Sequence, residues 1–140
     1  MDLRKREISE PTFQMPLWLV DITKRITLIV EQYTKETFCI NECNAISYKR
    51  REGHELEPHV DDRKLSTSII ANLSLCGDCI MTYSCIKPKP RCVDSVDVLL
   101  KRRTLQIQSG SARYDYSHGI LNSNLLNNRR VSITFRESPL

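Results

Sequence analysis

Eight short segments that alternate apolar and polar residues limit the fold of this chain more than any other feature. The segments are 42–48, 55–60, 67–75, 79–85, 96–101, 104–109, 112–117 and 130–136. Short strands separated by loops are typical of an antiparallel barrel or of a double-sheet jelly roll, the double-stranded β-helix. Gly77-Asp78 predicts a two-residue hairpin turn of type II′, and the two prolines of 87–90 predict a loop. The sequence therefore predicts a mainly β core.

One amphipathic helix is predicted ahead of these strands. Pro16 suits a first helical turn, and apolar residues recur at helical spacing from Leu19 to Tyr33. We expect this apolar stripe to pack on the core. A length of 140 residues is that of one domain. The predicted organisation is an N-terminal leader and packing helix over 1–40, mainly β structure after it, and a functional core over 41–140.

Composition argues against a membrane protein and a secreted protein. No apolar run approaches the ~20 residues of a membrane span, and the charged residues 1–10 lack the apolar centre of a signal peptide. We expect a cytoplasmic and/or nuclear monomer whose six cysteines are thiols. The net charge of +4 and the pI of about 8.8 favour an anionic partner only mildly. Each local basic cluster fits a partner site or a solvated loop equally well.

Two histidines and one aspartate have the residue types and the order of a non-haem iron(II) site. They are His59, Asp61 and His118. Alternate residues of a strand face the same way, so His59 and Asp61 should project together, and His118 would come from another strand. Three ligands on one face leave three positions for an anionic co-substrate and dioxygen. A His-x-Asp triplet alone is weak evidence. His54 lies in a charged turn and is expected to be an exposed loop residue.

The last predicted strand carries polar side chains on one parity and apolar side chains on the other. Arg130, Ser132, Thr134 and Arg136 form its polar face. This face either meets water or points into a barrel. In the second case two arginines at the ends of a ~20 Å strand could lean together around a five-carbon diacid, because guanidinium groups bind carboxylates in a bidentate manner. Tyr48 would add a phenolic hydrogen bond.

From about Asn41 to its end the chain resembles the AlkB family of Fe(II)/2-oxoglutarate dioxygenases. The residues that carry this resemblance are Tyr48, Gly53, His-Val-Asp at 59–61, the stretch 72–83, Arg-Arg-Thr-Leu at 102–105, Gly110, Ala-Arg-Tyr at 112–114, His-Gly-Ile at 118–120 and Arg-Val-Ser-Ile-Thr-Phe-Arg at 130–136. The last segment and the Arg-Tyr pair followed by His-Gly-Ile are particularly specific to the family. The resemblance implies a jelly-roll core.

The resemblance also implies a complete site for iron, 2-oxoglutarate and dioxygen. Iron would bind His59, Asp61 and His118. Arg130, together with Tyr48, would hold the distal carboxylate of 2-oxoglutarate. Arg136 would lie nearer the iron-bound end, and Ser132 would line the same pocket.

Family members oxidise methyl or other alkyl groups, commonly on nucleic-acid bases and in some cases on protein. The resemblance therefore implies oxidative demethylation or hydroxylation of an alkylated nucleic acid (RNA or single-stranded DNA) or protein. Asp62 and Arg113 are candidate substrate contacts. Ile46 stands where the family usually has asparagine, so contacts to the co-substrate should differ. Only about 40 residues precede the core, so either the nucleotide-recognition lid is reduced or this chain is a short form, and without the lid base flipping from a duplex is disfavoured.

Two other interpretations remain open. The chain could be a non-catalytic jelly-roll module that binds nucleic acid or protein through its basic clusters. The cysteines could also form a four-thiolate zinc site, from Cys76, Cys79, Cys85 and Cys92, or a redox pair. Cys76 and Cys79, however, flank the predicted hairpin and resemble residues at strand ends.

Overall fold

A computed structural model describes residues 15–87 and 94–138. Its helices are α1 (Leu17–Thr34) and α2 (Gly110–Tyr114), and short 3₁₀ turns lie at Arg50–Glu52 and Asn122–Asn124. Its strands are β1 (Glu42–Lys49), β2 (Leu56–His59), β3 (Ile70–Cys76), β4 (Cys79–Cys85), β5 (Ser95–Leu100), β6 (Leu105–Gln108), β7 (Tyr116–Ile120) and β8 (Arg129–Arg136). The predicted proline loop over 88–90 lies outside the described residues.

The strands form two four-stranded antiparallel sheets, with the orders β1-β8-β3-β6 and β2-β7-β4-β5. Consecutive strands lie in different sheets, except for β4 and β5, which pair directly within the second sheet. This arrangement confirms the predicted fold, a mainly β chain with an N-terminal helix and a double-stranded β-helix core. It also places the inner faces of both sheets around one central cavity.

Helix α1 covers the outer face of the first sheet. Ile26 and Val30 of the helix are buried in one cluster with Ile133 and Phe135 of β8. Burying such side chains stabilises the fold by roughly 1.5–3 kcal/mol each. Because successive strand residues face opposite ways, the apolar parity of β8 packs under α1 and its polar parity points into the cavity. The polar face of β8 therefore points into a barrel rather than into water.

The predicted hairpin at Gly77-Asp78 is wrong. Strands β3 and β4 belong to different sheets, so these two residues carry the chain from one sheet to the other. Gly77 has a φ of 71°, and a Cβ atom there would lie 2.1 Å from the carbonyl oxygen of Arg129. Only glycine fits this crossing, because both the backbone conformation and the close approach exclude a side chain.

The predicted strand over 112–117 is also wrong in most of its length. Gly110 adopts a φ of 53°, and the chain then turns through α2 before β7 begins at Tyr116. The alternation of Ala-Arg-Tyr-Asp-Tyr is that of a strand, but in the structure most of these residues form a helical turn, and the Arg113 side chain points inward. Arg113 is fully buried on this short helix, so the period-two pattern did not mark a strand here.

The cysteines depart from the all-thiol prediction, and Cys92 lies outside the described residues. Cys39, Cys43, Cys76 and Cys79 are free thiols, whereas Cys85 is disulfide-bonded. Within residues 15–87 and 94–138, the only His, Cys, Asp and Glu side chains grouped closely enough for a metal are the predicted iron ligands, which gives the zinc interpretation no support. No helix in the same residues is long and apolar enough to cross a membrane.

Candidate metal centre

The three predicted metal ligands meet at one end of the cavity. His59 ends β2 and pairs directly with His118 on β7, and Asp61 follows two residues after the strand. Nε2 of His59 lies 3.7 Å from Oδ1 of Asp61, and Nε2 of His118 lies 3.5 Å from Oδ2. All three ligand atoms lie within 4.8 Å of one another. Atoms that share an ion at about 2 Å have separations of this order, so the donor set fits a divalent metal.

Outer contacts orient both imidazoles. Nδ1 of His59 lies 2.9 Å from the carbonyl oxygen of Glu57, so the ring donates there and leaves Nε2 free of a proton. Nδ1 of His118 lies 3.4 Å from the side-chain amide of Gln108. Both rings turn Nε2 toward Asp61, but among the described residues only His59 has an acceptor at Nδ1. The amide nitrogen of Gln108 can only donate, so in this arrangement Nδ1 of His118 accepts and its neutral ring carries the proton on Nε2. His54, in contrast, is exposed and lies beside Glu52, as predicted.

The charges of the centre prepare the ligands for a metal. Burial raises the pKa of Asp61, but the hydrogen bond with His59 and the charges of His118 and Arg136 outweigh this effect and lower the pKa to about 2. Burial lowers the pKa of His118 to about 4, against the attraction of Asp61. Near neutral pH, Asp61 is therefore ionised and His118 is neutral, and these are the forms that bind metal ions.

Metal affinity is expected to fall as the pH falls through the range in which His59 takes up a proton, which lies above its ordinary pKa of 6.5. The hydrogen bond with Asp61 raises the pKa of His59 above its usual value of 6.5, and a protonated imidazole cannot bind a metal. The pKa values of Asp61 and His118 lie well below this range, so one proton competes and the loss approaches about tenfold per pH unit. Titration with Mn(II) at several pH values measures this effect, and a flat profile would contradict it.

The two arginines of β8 lie in different surroundings. Arg136 donates to Oδ1 of Asp61 and to Oε1 of Glu42, each at 3.2 Å, so two carboxylates already neutralise its charge. Arg130 is 1% exposed, and among the described residues its guanidinium contacts neutral groups: Sγ of Cys79 at 2.9 Å, Oγ of Ser74 at 3.2 Å and the Tyr48 ring at 5.8 Å. A buried charge without a counter-charge is costly. Arg130 is thus the guanidinium prepared for an incoming carboxylate.

The cavity wall contains polar residues that sequence reasoning missed. Asn72, Gln106 and Gln108 line it from β3 and β6, and Tyr83 on β4 accepts a hydrogen bond from Gln106 at 2.7 Å. A signal was available, because Gln106 and Gln108 alternate with Leu105 and Ile107 in the same way as the polar and apolar residues of β8. In both β6 and β8, the polar residues of the alternation face the cavity and the apolar residues face away from it.

The two candidate substrate residues occupy different places. Asp62 is exposed beside the metal ligands, and its carboxylate accepts the backbone N–H of Lys64 at 2.7 Å. Arg113 is 0% exposed and does not line the cavity. It donates to the carbonyl oxygens of Asp61 and Asp62 and to Oγ of Ser66, at 2.8, 3.0 and 2.8 Å. Arg113 therefore supports the loop that carries a metal ligand and is out of reach of a substrate.

Residues 2–136 match the sequence model of the 2OG-Fe(II) oxygenase superfamily. The chain belongs to this superfamily. Members use Fe(II), 2-oxoglutarate and dioxygen, as the metal centre and the buried arginine had indicated. The match includes α1 and all eight strands.

The similar proteins confirm an AlkB-like member of the superfamily. The chain is 34% identical over 92 residues to alpha-ketoglutarate-dependent dioxygenase alkB homolog 7, mitochondrial, of Bos taurus, and equally to that of Mus musculus. These alignments cover 60% of this chain and 40% of each relative. The tRNA (carboxymethyluridine(34)-5-O)-methyltransferase ALKBH8 of Mus musculus is 30% identical over 93 residues, or 66% of this chain and 13% of that protein. The chain thus corresponds to less than half the length of these relatives.

Solved structures support the fold alone. OsALKBH1 superposes with a TM-score of 0.66 at 16% identity, covering 89% of this chain and 66% of that one. The epimerase RmlC of Legionella pneumophila superposes with a TM-score of 0.52 at 14% identity, covering 93% and 58%. OsALKBH1 and an epimerase share the architecture, so the fold does not define the chemistry, and the function must be argued from the site.

Proposed function

We propose that this chain is an Fe(II)- and 2-oxoglutarate-dependent dioxygenase that demethylates or hydroxylates an alkylated nucleic acid or protein. The observation that carries the proposal is the convergence of His59, Asp61 and His118 in a cavity that also contains Arg130. These residues supply a metal face and a buried positive charge within one space. The superfamily match supports the same activity.

The residues divide the work of binding. The three ligands hold the metal, and Arg136 keeps Asp61 ionised and oriented. Arg130 takes the distal carboxylate of 2-oxoglutarate. Tyr48, which pairs with Arg130 across β1 and β8, lies against the same end of the cavity, and Ser132 lines the wall between the two arginines. When bound, ferrous iron and 2-oxoglutarate supply the oxidation of a substrate C–H bond by dioxygen, with succinate and carbon dioxide as products.

For the substrate we propose an alkylated base or an alkylated protein side chain at the open side of the metal centre. One relative is named as a tRNA-modifying protein, which supports a nucleic acid. Asp62 is exposed next to the ligands and is the residue we propose to contact the substrate. Its carboxylate would accept a hydrogen bond from an exocyclic amine or an amide.

Succinate formation tests the activity. Iron-loaded protein is incubated with labelled 2-oxoglutarate and with methylated RNA, single-stranded DNA or peptides, and mass spectrometry follows the loss or hydroxylation of the alkyl group. We expect succinate to be formed, and one substrate class to be modified in step with it. No succinate above the level of a His59→Ala control with any substrate would contradict the proposal.

Replacing Arg130 with lysine is expected to raise the KM for 2-oxoglutarate at least about tenfold while metal affinity stays unchanged. Lysine keeps the charge but cannot bind a carboxylate in the bidentate manner of a guanidinium. The neighbouring Arg129 is exposed and donates to Ser47, so Arg129→Lys is the matched control and should behave as the wild type. Equal effects of both substitutions would show that Arg130 does not hold the co-substrate.

A non-catalytic binding module is not favoured, because the chain keeps three convergent metal ligands and a buried arginine that binding through basic clusters would not need. Cytoplasm and/or nucleus remains our proposal for the compartment, and the mitochondrial relatives make the mitochondrion the alternative. Cell fractionation with an antibody against the chain would decide between them. A monomeric state stays a prediction, to be tested by light scattering.

A further inference from the structure

Asn72 carries an unpaired polar atom inside the cavity. It lies on the inner face of β3, directly opposite Thr134 on β8, and its Nδ2 is 2.8 Å from Oγ1 of Thr134. Its Oδ1 is buried and has no hydrogen-bond partner among the described residues. A buried amide that is half satisfied is unusual, since nearly all buried polar atoms in folded proteins are paired.

In this orientation of the amide, the neighbours of Asn72 supply no donor to its Oδ1 among the described residues. Gln106 pairs with Asn72 across β6, but its amide nitrogen points to the hydroxyl of Tyr83 at 2.7 Å and to Sδ of Met81 at 3.6 Å. Ile46, which lines the cavity from β1, has no hydrogen-bonding side chain. One end of the Asn72 amide is therefore left for a molecule in the cavity.

The position of Asn72 indicates which molecule. Two residues further along β3, on the same face, is Ser74, which Arg130 contacts. Two residues before Asn72 is Ile70, which pairs with Arg136 on β8. Arg136 in turn contacts Asp61 of the metal centre. Asn72 therefore lies between the two ends of the path that a diacid would follow from Arg130 to the metal.

We infer that Asn72 is a binding residue for the co-substrate and that its amide turns over when the co-substrate enters. The inference rests on the proposed function. Near neutral pH, every oxygen of 2-oxoglutarate is an acceptor, so the cavity must supply a donor. Turning the amide by half a rotation places Oδ1 against the hydroxyl of Thr134, which then donates to it, and presents Nδ2 to the cavity. In that arrangement the amide has partners at both ends.

Binding of 2-oxoglutarate to Mn(II)-loaded protein tests this inference without turnover. Asn72→Asp keeps the shape and the acceptor for Thr134 but removes the donor and adds a repelling charge. We expect the Kd for 2-oxoglutarate in equilibrium dialysis to rise about 10- to 100-fold, the cost of losing a hydrogen bond to a charged group. The Kd for Mn(II) should stay within about twofold, because Asn72 does not contact the metal ligands.

Asn44 provides the matched control. It pairs with Thr134 from the other side of β8 and is exposed, so Asn44→Asp adds the same charge at the same level of the sheet without removing a buried amide. We expect wild-type affinity for this variant. Equal weakening by both substitutions, or wild-type affinity of Asn72→Asp, would overturn the inference.

The proposed function and this inference fail in different ways. Wild-type protein that binds no 2-oxoglutarate overturns the proposed function and removes the basis for a role of Asn72. Wild-type protein that binds 2-oxoglutarate as tightly as Asn72→Asp overturns the role of Asn72 alone. If Asn72→Asp does not fold, as judged by circular dichroism, Asn72→Ala decides by the same criterion. Its Kd is expected to rise about tenfold, and an unchanged Kd would overturn the inference.

Discussion

Replacing Asp61 with asparagine is expected to lower Fe(II) affinity by more than about 100-fold and to abolish 2-oxoglutarate turnover. Removing an outer-shell partner of a metal ligand typically costs 10–100-fold, and a ligand itself should cost more. Asp61 is the single carboxylate of the centre and lies beside both histidines and Arg136. Asparagine keeps the shape and removes the charge, so the loss would report the carboxylate rather than a change in packing.

The adjacent residue supplies the control for this substitution. Asp62→Asn makes the same chemical change one position later, at an exposed side chain that is not part of the ligand group. Asparagine can still accept the hydrogen bond from Lys64, so folding and Fe(II) affinity should stay as in the wild type. Fe(II) affinity is measured by competition with a chelator in the absence of oxygen. Equal affinities of the two variants would mean that Asp61 is not a ligand.

Replacing Arg113 with methionine is expected to lower the free energy of unfolding by about 3 kcal/mol. Methionine leaves three acceptors without a donor, and each unsatisfied buried polar group costs roughly 1–3 kcal/mol. Two of these acceptors are the carbonyl oxygens of Asp61 and Asp62. Where the variant folds, metal affinity should fall about tenfold, because the loop that carries Asp61 has lost its support.

Arg63→Met separates this effect from a general loss of charge. Arg63 is exposed and donates to the carbonyl oxygen of Tyr114 at 2.6 Å. Its guanidinium lies 5.6 Å from the Tyr114 ring, which Arg113 also contacts. Surface substitutions usually change stability by no more than about 0.5 kcal/mol. Urea denaturation compares both variants with the wild type. If Arg113→Met lowers the free energy of unfolding no more than Arg63→Met does, the loop that carries Asp61 does not depend on Arg113.

The sequence predicted the architecture because its strongest patterns are local. The helix at α1 and the strands of both sheets follow from periodicity, and β8 shows it most clearly through one apolar and one polar parity. Prediction failed at 77–78 and 112–117, where distant contacts decide the outcome. The first segment crosses between sheets against the backbone of Arg129, and the second turns to bury Arg113. Neither partner lies near in sequence.

The same distinction applies to the site. His59 and Asp61 are two residues apart and share a direction, and residue types and strand parity also indicated His118 and the two arginines. The AlkB resemblance added the role of each side chain. The roles of Asn72, Gln108 and Arg113 depend on which strand lies beside which. The proposed role of Asn72 depends on the register in which β3 pairs with β8, because this register places Asn72 opposite Thr134. Register between distant strands is not written in local periodicity.

Binding of 2-oxoglutarate to the wild-type protein, with and without ferrous iron and in the absence of oxygen, tests the central claim most directly. The account predicts one iron and one 2-oxoglutarate bound per chain, with 2-oxoglutarate binding at least about tenfold tighter when iron is present, because the keto acid then gains metal contacts as well as Arg130. The iron dependence should vanish in Asp61→Asn. Binding of 2-oxoglutarate that is indifferent to iron, or iron binding that survives the loss of Asp61, would contradict the account.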